Sequence, residues 1–246
     1  MTVHLVGAGP GDPGLLTVRA AALIRTCDVV VYDRLVGDDI MAMVPPWAEQ
    51  IDVGKAPGRH STPQHEINAI LVDRGAKVDC VVRLKGGDPH VFGRASEEIE
   101  ALNAAGIAVE VVPGISSALA APTAAGIPLT SRHASSGFTV VTAHQDPAND
   151  RTLDWHALAR LGTTLVVLMG AARARAVADQ LLAGGMAPDT PVAVITDATR
   201  DTQTVSRTTL DSLGDEPVRS PATIVIGAVA TQDLRSLALV AEGSAG

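Results

Sequence analysis

Two glycines, an acid and a proline, Gly86-Gly87-Asp88-Pro89, close an apolar run from Val78 to Leu84 that only Asp79 and Arg83 interrupt. The run reads as a largely buried strand. The turn therefore leaves a strand's carboxyl end, where open α/β sheets place their ligands. The glycines remove side chains where a ligand or another backbone comes close. Asp88 supplies an acceptor, and Pro89 fixes φ so that the turn does not relax into the next helix. Gly, Asp and Pro also punctuate ordinary strand-to-helix turns, so a purely structural role stays open for this turn taken alone.

A second glycine-rich turn, Gly9-Pro10-Gly11-Asp12-Pro13-Gly14, follows the short strand Thr2–Val6 and fits G-x-G-x-x-G. Asp33 ends the next strand about where a ribose-binding acid belongs, which gives a nicotinamide-dependent oxidoreductase as one reading. Pro10 and Pro13 weaken it, because they lack the N–H groups that a phosphate cradle uses. Arg34-Leu35-Val36 after Asp33 also suggests a loop that faces a substrate rather than a ribose. A third turn, Pro113-Gly114-Ile115-Ser116-Ser117, offers backbone and hydroxyl contacts at another strand end. Met169 closes an apolar strand and reads by itself as core filler. His4, His65 and His156 have no ligand-like grouping, so no metal is expected.

The elements that must position these turns alternate. Leu15–Arg25 has helical spacing, Val29–Val31 is a wholly apolar strand, and a strand, a glycine-rich turn, a helix and a second strand make a βαβ unit. Ile51–Val53 is a brief strand. Thr62 reads as an N-cap with Pro63 at the first helical position, before an apolar face of Ile67, Ile70 and Leu71. A helix is expected over Ser96–Ala105, capped by Ser96, with Glu97 and Glu98 in a first turn that favours acids. Val109–Val112 is a strand, and a small-residue helix follows Ser117. The polar connection Ile127–Gly137 marks a boundary between an N-terminal α/β domain (1–130) and a C-terminal α/β domain (137–241), with a tail at 242–246. In the second half, Phe138–Thr142, Thr164–Met169, Val192–Thr196 and Ala222–Ala228 read as strands, and Thr204–Arg207 as an edge strand. Trp155–Leu161 and Ala171–Ala183 read as helices. No short-period repeat is present.

Bulk properties narrow the classes. Hydrophobic residues make up 46% of 246, yet there are only two Trp, two Phe and one Tyr. Such a core is packed from Val, Leu, Ile and Ala, as in parallel α/β folds. A net charge of −8 with no basic run argues against nucleic acid, though a local basic cluster can still bind an anionic ligand. Cys27 and Cys80 are not metal-spaced and read as core thiols in a reducing compartment. With neither a leader-like start nor a run of membrane-spanning length, a soluble cytoplasmic protein is expected.

Taken together, these stretches resemble the uroporphyrinogen-III C-methyltransferases of the tetrapyrrole methyltransferase family. The matching pieces are VGAGPGDPGLLTVRA from Val6, VVVYDRLV from Val29, VGK from Val53, QHEINAILV from Gln64 and VVRLKGGDPHVFGR from Val81. VVPGISSA from Val111, GIPLTSR from Gly126, LDWHALA from Leu153 and LVVLMG from Leu165 continue them, so the resemblance runs over nearly the whole chain in order.

The resemblance implies two α/β domains with S-adenosylmethionine in a cleft between them, a homodimer, and two methyl transfers to uroporphyrinogen III giving precorrin-2, with S-adenosylhomocysteine as by-product. The glycine-rich first loop then becomes a wall of that cleft, which explains its prolines. By the same likeness Pro10, Gly86, Gly87, Asp88, Val91, Ser116, Ser117, Met169, Ala198 and Ala228 contact the cofactor. Asp33 is the proton acceptor and Lys55 the proton donor. Arg34, Arg59, Lys85, Arg94 and Arg132 are candidates for the substrate's carboxylates, because cationic side chains, and guanidinium above all, suit such contacts. Ala56, His90, Ala95, Ser96 and Ser131 depart from the family's usual residues near the expected cleft. They keep open a later precorrin methyltransferase of corrin assembly and a catalytically silent tetrapyrrole-binding module.

Overall fold

Five short segments of the first half become one sheet: β1 (Thr2–Gly7), β2 (Val29–Tyr32), β3 (Glu49–Asp52), β4 (Cys80–Lys85) and β5 (Ala108–Val112). The computed structural model describes residues 1–54 and 62–235. The strand order is β3-β2-β4-β1-β5 and every pairing is parallel. All carboxyl ends therefore share one edge, with Gly7 level with Lys85, Tyr32 with Leu84, and Val6 with Val112.

The two faces of this sheet follow the two-residue strand period. Val6, Val30, Val82, Leu84 and Val112 pack with Ala20 and Ile24 of α1 (Val18–Ile24) and with Ile40 of α2 (Asp38–Met41). Val3, Leu5, Val29, Val31 and Val81 face Ile67 and Leu71 of α3 (Gln64–Gly75) and Ala95 and Leu102 of α4 (Ala95–Ala104). Burying one such aliphatic side chain stabilises by about 1.5–3 kcal/mol, which is why both faces need helices. Cys27 lies in the first of these cores, where burial pushes its thiol up to about 11.

A second sheet has the order β6-β7-β10-β8-β9, from β6 (Phe138–Thr142), β7 (Thr164–Leu168), β8 (Pro191–Thr196), β9 (Thr204–Thr209) and β10 (Ala222–Ile226). Only β6 and β7 are parallel neighbours; β10 runs antiparallel to both β7 and β8. β9 is the edge strand, as its sequence suggests, and extends to Thr209. One face carries α6 (Trp155–Arg160) and α7 (Ala174–Ala183), through Trp155, Leu158, Val177 and Leu181. The other face packs on α5 (Ser117–Ala124), through Ala121 and, just beyond the helix, Ala125 and Ile127.

That packing fixes where the chain divides. The two units are 1–116 and 117–246, and not 1–130 and 137–241, because α5 buries its small apolar face on the second sheet. The polar stretch after Ile127 is thus a connection inside the second unit. Four helix starts also differ from expectation, and α7 is one of them: Ala171–Arg173 forms a 3-10 turn before it begins at Ala174. α1 begins at Val18, capped by Thr17, after a separate 3-10 turn at Pro13–Leu15. Pro63 stands at the cap of α3, not inside it. α4 starts from Arg94 in a left-handed conformation, φ 56°, with no side-chain cap from Ser96. Among the described residues no helix is long and apolar enough to cross a membrane.

Candidate active site

Three glycine backbones converge at the carboxyl edge of the first sheet. A methyl group added to Gly7 would lie 2.5 Å from the Gly114 nitrogen and 2.6 Å from the Gly87 oxygen; one on Gly114 would lie 2.2 Å from that oxygen. No side chain fits there, so the turns after β1, β4 and β5 touch backbone to backbone. The Gly87 N–H donates to the Gly9 carbonyl at 2.7 Å, and the Gly9 N–H returns the bond at 3.2 Å. Asp88 completes the tie: Oδ2 accepts from the Gly114 N–H at 3.0 Å and Oδ1 from the His90 N–H at 2.8 Å. Each of its oxygens thus holds a loop in place. The dinucleotide fingerprint at Gly9–Gly14 fails here for a local reason. The α1 N-terminus that would receive a pyrophosphate starts only at Val18, beyond the 3-10 turn.

Asp33 stands at the same edge, after β2. Its backbone N–H donates to the Leu84 carbonyl at 3.3 Å, and its Oδ1 accepts from Arg83 Nη2 at 2.7 Å. The Asp33 side chain is 32% exposed, whereas Arg83 is 2% exposed. Arg83 Nε donates to Glu98 Oε1 at 3.1 Å, and Lys85 Nζ reaches the same oxygen at 2.8 Å. Glu98 is wholly buried and its Oε2 has no hydrogen-bond partner. Burial pushes the Lys85 ammonium below the ordinary lysine range and neighbouring Arg83 adds to the effect, while Glu98 opposes it. Lys85, expected as a receiver of substrate carboxylates, is instead turned inward and committed to Glu98.

Glu98 and Arg83 are the residues that the reading from sequence passed over. The signals were there. Glu98 lies three residues after Ala95 and four before Leu102, on the buried face of α4. Arg83 and Lys85 share with Val81 the strand face that packs under α3 and α4.

The other expected residues divide clearly. Pro10, Gly86, Gly87, Ser116 and Ser117 are half-buried, and Val91 is exposed. Arg34 and Arg132 are exposed, and Arg94 is exposed and pairs with Glu97 at 2.7 Å. His90 and Ser96 are exposed, Ser131 is half-buried, and Ala95 is packed into the core of α4. Lys55, Ala56 and Arg59 lie outside the described residues.

In the second unit Met169 follows β7 and Ala198 follows β8. Both strands run antiparallel to β10, so the two residues share one edge. Met169 is 51% exposed with φ 55°, which removes the core-filler reading. Ala228 follows β10 and therefore lies at the opposite edge, where the Gly227 N–H donates to the carbonyl of Pro191 at the start of β8. Strand direction separates Ala228 from Met169 and Ala198. Among the described residues six that are not glycine have positive φ, and five of them, Phe92, Arg94, Met169, Asp197 and Thr199, lie in the turns after β4, β7 and β8. Such conformations cost about 1–3 kcal/mol each and gather where a loop's shape serves function.

The fold meets its counterpart in known proteins. Residues 2–214 match the model of the Tetrapyrrole (Corrin/Porphyrin) Methylases. The chain belongs to this family. Within it, the chain is 49% identical over 232 residues to the S-adenosyl-L-methionine-dependent uroporphyrinogen III methyltransferase of Methanosarcina barkeri, covering 92% of this chain and 91% of that protein. Uroporphyrin-III C-methyl transferase from Thermus thermophilus, solved with S-adenyl homocysteine, superposes with a TM-score of 0.82 at 40% identity, over 93% of this chain and 98% of that one. A cobalt precorrin-4 methyltransferase superposes with a TM-score of 0.84 at 30% identity, over 94% and 96% of the two chains. Against the siroheme synthases that it resembles, the chain spans about half their length. The tetrapyrrole methylase fold thus accounts for both sheets, the parallel first and the mixed second.

Proposed function

We propose that this tetrapyrrole methylase transfers the sulfonium methyl of S-adenosylmethionine to two pyrrole carbons of uroporphyrinogen III, yielding precorrin-2. The observation that carries the reading is the meeting of a glycine cradle and the Asp33 carboxylate at one sheet edge, in a chain 49% identical to a uroporphyrinogen III methyltransferase. The fold alone does not choose among tetrapyrrole methyltransferases, since the cobalt precorrin-4 enzyme superposes equally well. Identity does favour one, at 49% and 40% against 30%.

The chemistry asks little of the protein. The electron pair of a pyrrole carbon forms the new C–C bond as the C–S bond breaks, and sulfur leaves as the neutral thioether of S-adenosylhomocysteine. The macrocycle is left cationic and sheds one proton. The enzyme's tasks are to hold donor and acceptor in line and to take that proton. Asp33 is the proposed acceptor and Lys55 the proposed donor. Pro10, Gly86, Gly87, Val91 and Ser116 are the proposed cofactor contacts of the first unit, with Asp88 shaping their loops, and Ser117, Met169 and Ala198 are those of the second. Arg34, Arg59, Arg94 and Arg132 are the proposed receivers of substrate carboxylates. A cytoplasmic homodimer belongs to the same reading, and sedimentation checks its size.

Calorimetric titration with S-adenosylhomocysteine, beside turnover of Asp33→Asn, tests the assignment. Binding of the thioether is expected in both wild type and variant, with turnover reduced ~10²-fold or more in the variant, as for loss of a general base. Binding of NAD without binding of the thioether would overturn the reading, and undiminished turnover in Asp33→Asn would remove the residue from its role.

A further inference from the structure

We infer that Arg83 is a positioning residue for methyl transfer: its guanidinium aims the Asp33 carboxylate, and Glu98 aims the guanidinium. The inference rests on the reading of Asp33 as proton acceptor and adds the device that holds it. Arg83 is a charged side chain at 2% exposure in the middle of a sheet, paired with a glutamate at 0%. Packing does not ask for this. Buried ion pairs replaced by apolar side chains of similar volume are often neutral or stabilising, so such a pair needs another account.

Direction supplies it. All three guanidinium nitrogens of Arg83 are engaged, Nε with Glu98, Nη1 with the carbonyls of Val31 at 3.3 Å and Leu84 at 3.2 Å, and Nη2 with Asp33. The group is planar, so once Nε and Nη1 are fixed Nη2 has one heading, and that heading is Asp33 Oδ1. Glu98 is held in turn: Oε1 accepts from Arg83, from Lys85 and from Gln64 Nε2 at 3.3 Å, while Oε2 is left without a partner. A carboxylate that leaves one buried oxygen unsatisfied pays a desolvation cost. Here it persists beside two cations whose orientation it sets. The guanidinium offers hydrogen-bond donors and no acceptor. Its contribution is geometric and electrostatic, delivered through a carboxylate that remains 32% exposed.

A double-mutant cycle on the full chain tests this. Arg83→Lys keeps a cation on β4 but gives up the fork. It is expected to lower kcat ~10–100-fold, as for a reacting group displaced by about an ångström. KM for S-adenosylmethionine and the affinity for S-adenosylhomocysteine are expected to stay at wild-type values. Added to Asp33→Asn, the same change is expected to cost no further kcat. A wild-type kcat in Arg83→Lys, or losses that multiply in the double variant, would overturn the inference, as would thioether affinity collapsing together with kcat. Wild-type turnover in Asp33→Asn alone would remove the acceptor itself, and the inference with it, which separates the two failures. If Arg83→Lys does not fold, Glu98→Gln, which keeps volume and an acceptor oxygen, enters the same cycle. A kcat loss that vanishes in the Asp33→Asn background then supports the inference, and one that multiplies overturns it.

Discussion

Asp88 shows how one carboxylate can shape two loops at once. Its two oxygens hold the N–H groups of His90 and Gly114, which belong to different loops. Asp88→Ala leaves both donors to find water or remain unpaired, at a cost of about 1–3 kcal/mol in stability, and S-adenosylhomocysteine affinity should fall with it. Asp88→Asn, which keeps an acceptor oxygen, should recover part of both, as read by denaturant titration and calorimetry. Equal affinity in wild type and Asp88→Ala would mean that the loops hold their shape without the carboxylate. At this scale the sequence displays residue types well and partners poorly. Gly86, Gly87 and Asp88 announce a turn by identity alone. Lys85, one position earlier, reads as a receiver of substrate carboxylates until the strand period sets it on the face of Val81 and the α4 period brings Glu98 above it.

Among the elements, strands were the more legible. Phe138–Thr142 is as expected, and β2, β4, β7 and β10 differ from expectation only at their ends, because short segments rich in Val, Ile and Thr allow little else. Helix starts were less so, since they depend on backbone conformations that side-chain identity does not fix. Arg94 enters α4 from a left-handed φ, and the real cap of α1 is Thr17, three residues into the expected helix. The edge shared by β1, β4 and β5 rests on backbone contact between glycines. Gly114→Ala would force a methyl to 2.2 Å from the Gly87 oxygen. It should destabilise the fold by ~3 kcal/mol, at the upper end of ordinary overpacking, and abolish thioether binding. Thermal denaturation and calorimetry check both, and an unperturbed melting temperature would show that the loops separate at little cost.

For the whole molecule, the polar stretch 127–137 was legible as a connection but not as an internal one, because only packing reveals that α5 belongs with the second sheet. Surface charge makes its own prediction. Arg74 holds Glu49 below the usual carboxylate range, Lys77 does so for Asp73, Arg94 for Glu97 and Arg19 for Glu110. Folded values below unfolded ones mean that the unfolded chain binds protons first as pH falls. The stabilisation is complete above the unfolded values and is lost through the folded ones. Lys85 acts at the other end: its lowered value makes the unfolded chain the tighter proton binder, so stability rises as pH climbs toward the ordinary lysine value. Urea midpoints should therefore drop between about pH 6 and about pH 3, and less steeply in high salt, because these carboxylate pairs are exposed and screened. A drop of equal steepness at both salt concentrations would assign acid sensitivity to buried groups instead. The central claim, that an electron-rich macrocycle takes its methyl groups from a sulfonium donor on this chain, is tested most directly by mass. After anaerobic incubation with uroporphyrinogen III and methyl-labelled S-adenosylmethionine, the tetrapyrrole should carry two labelled methyl groups. An unlabelled macrocycle, with the donor intact, would contradict it.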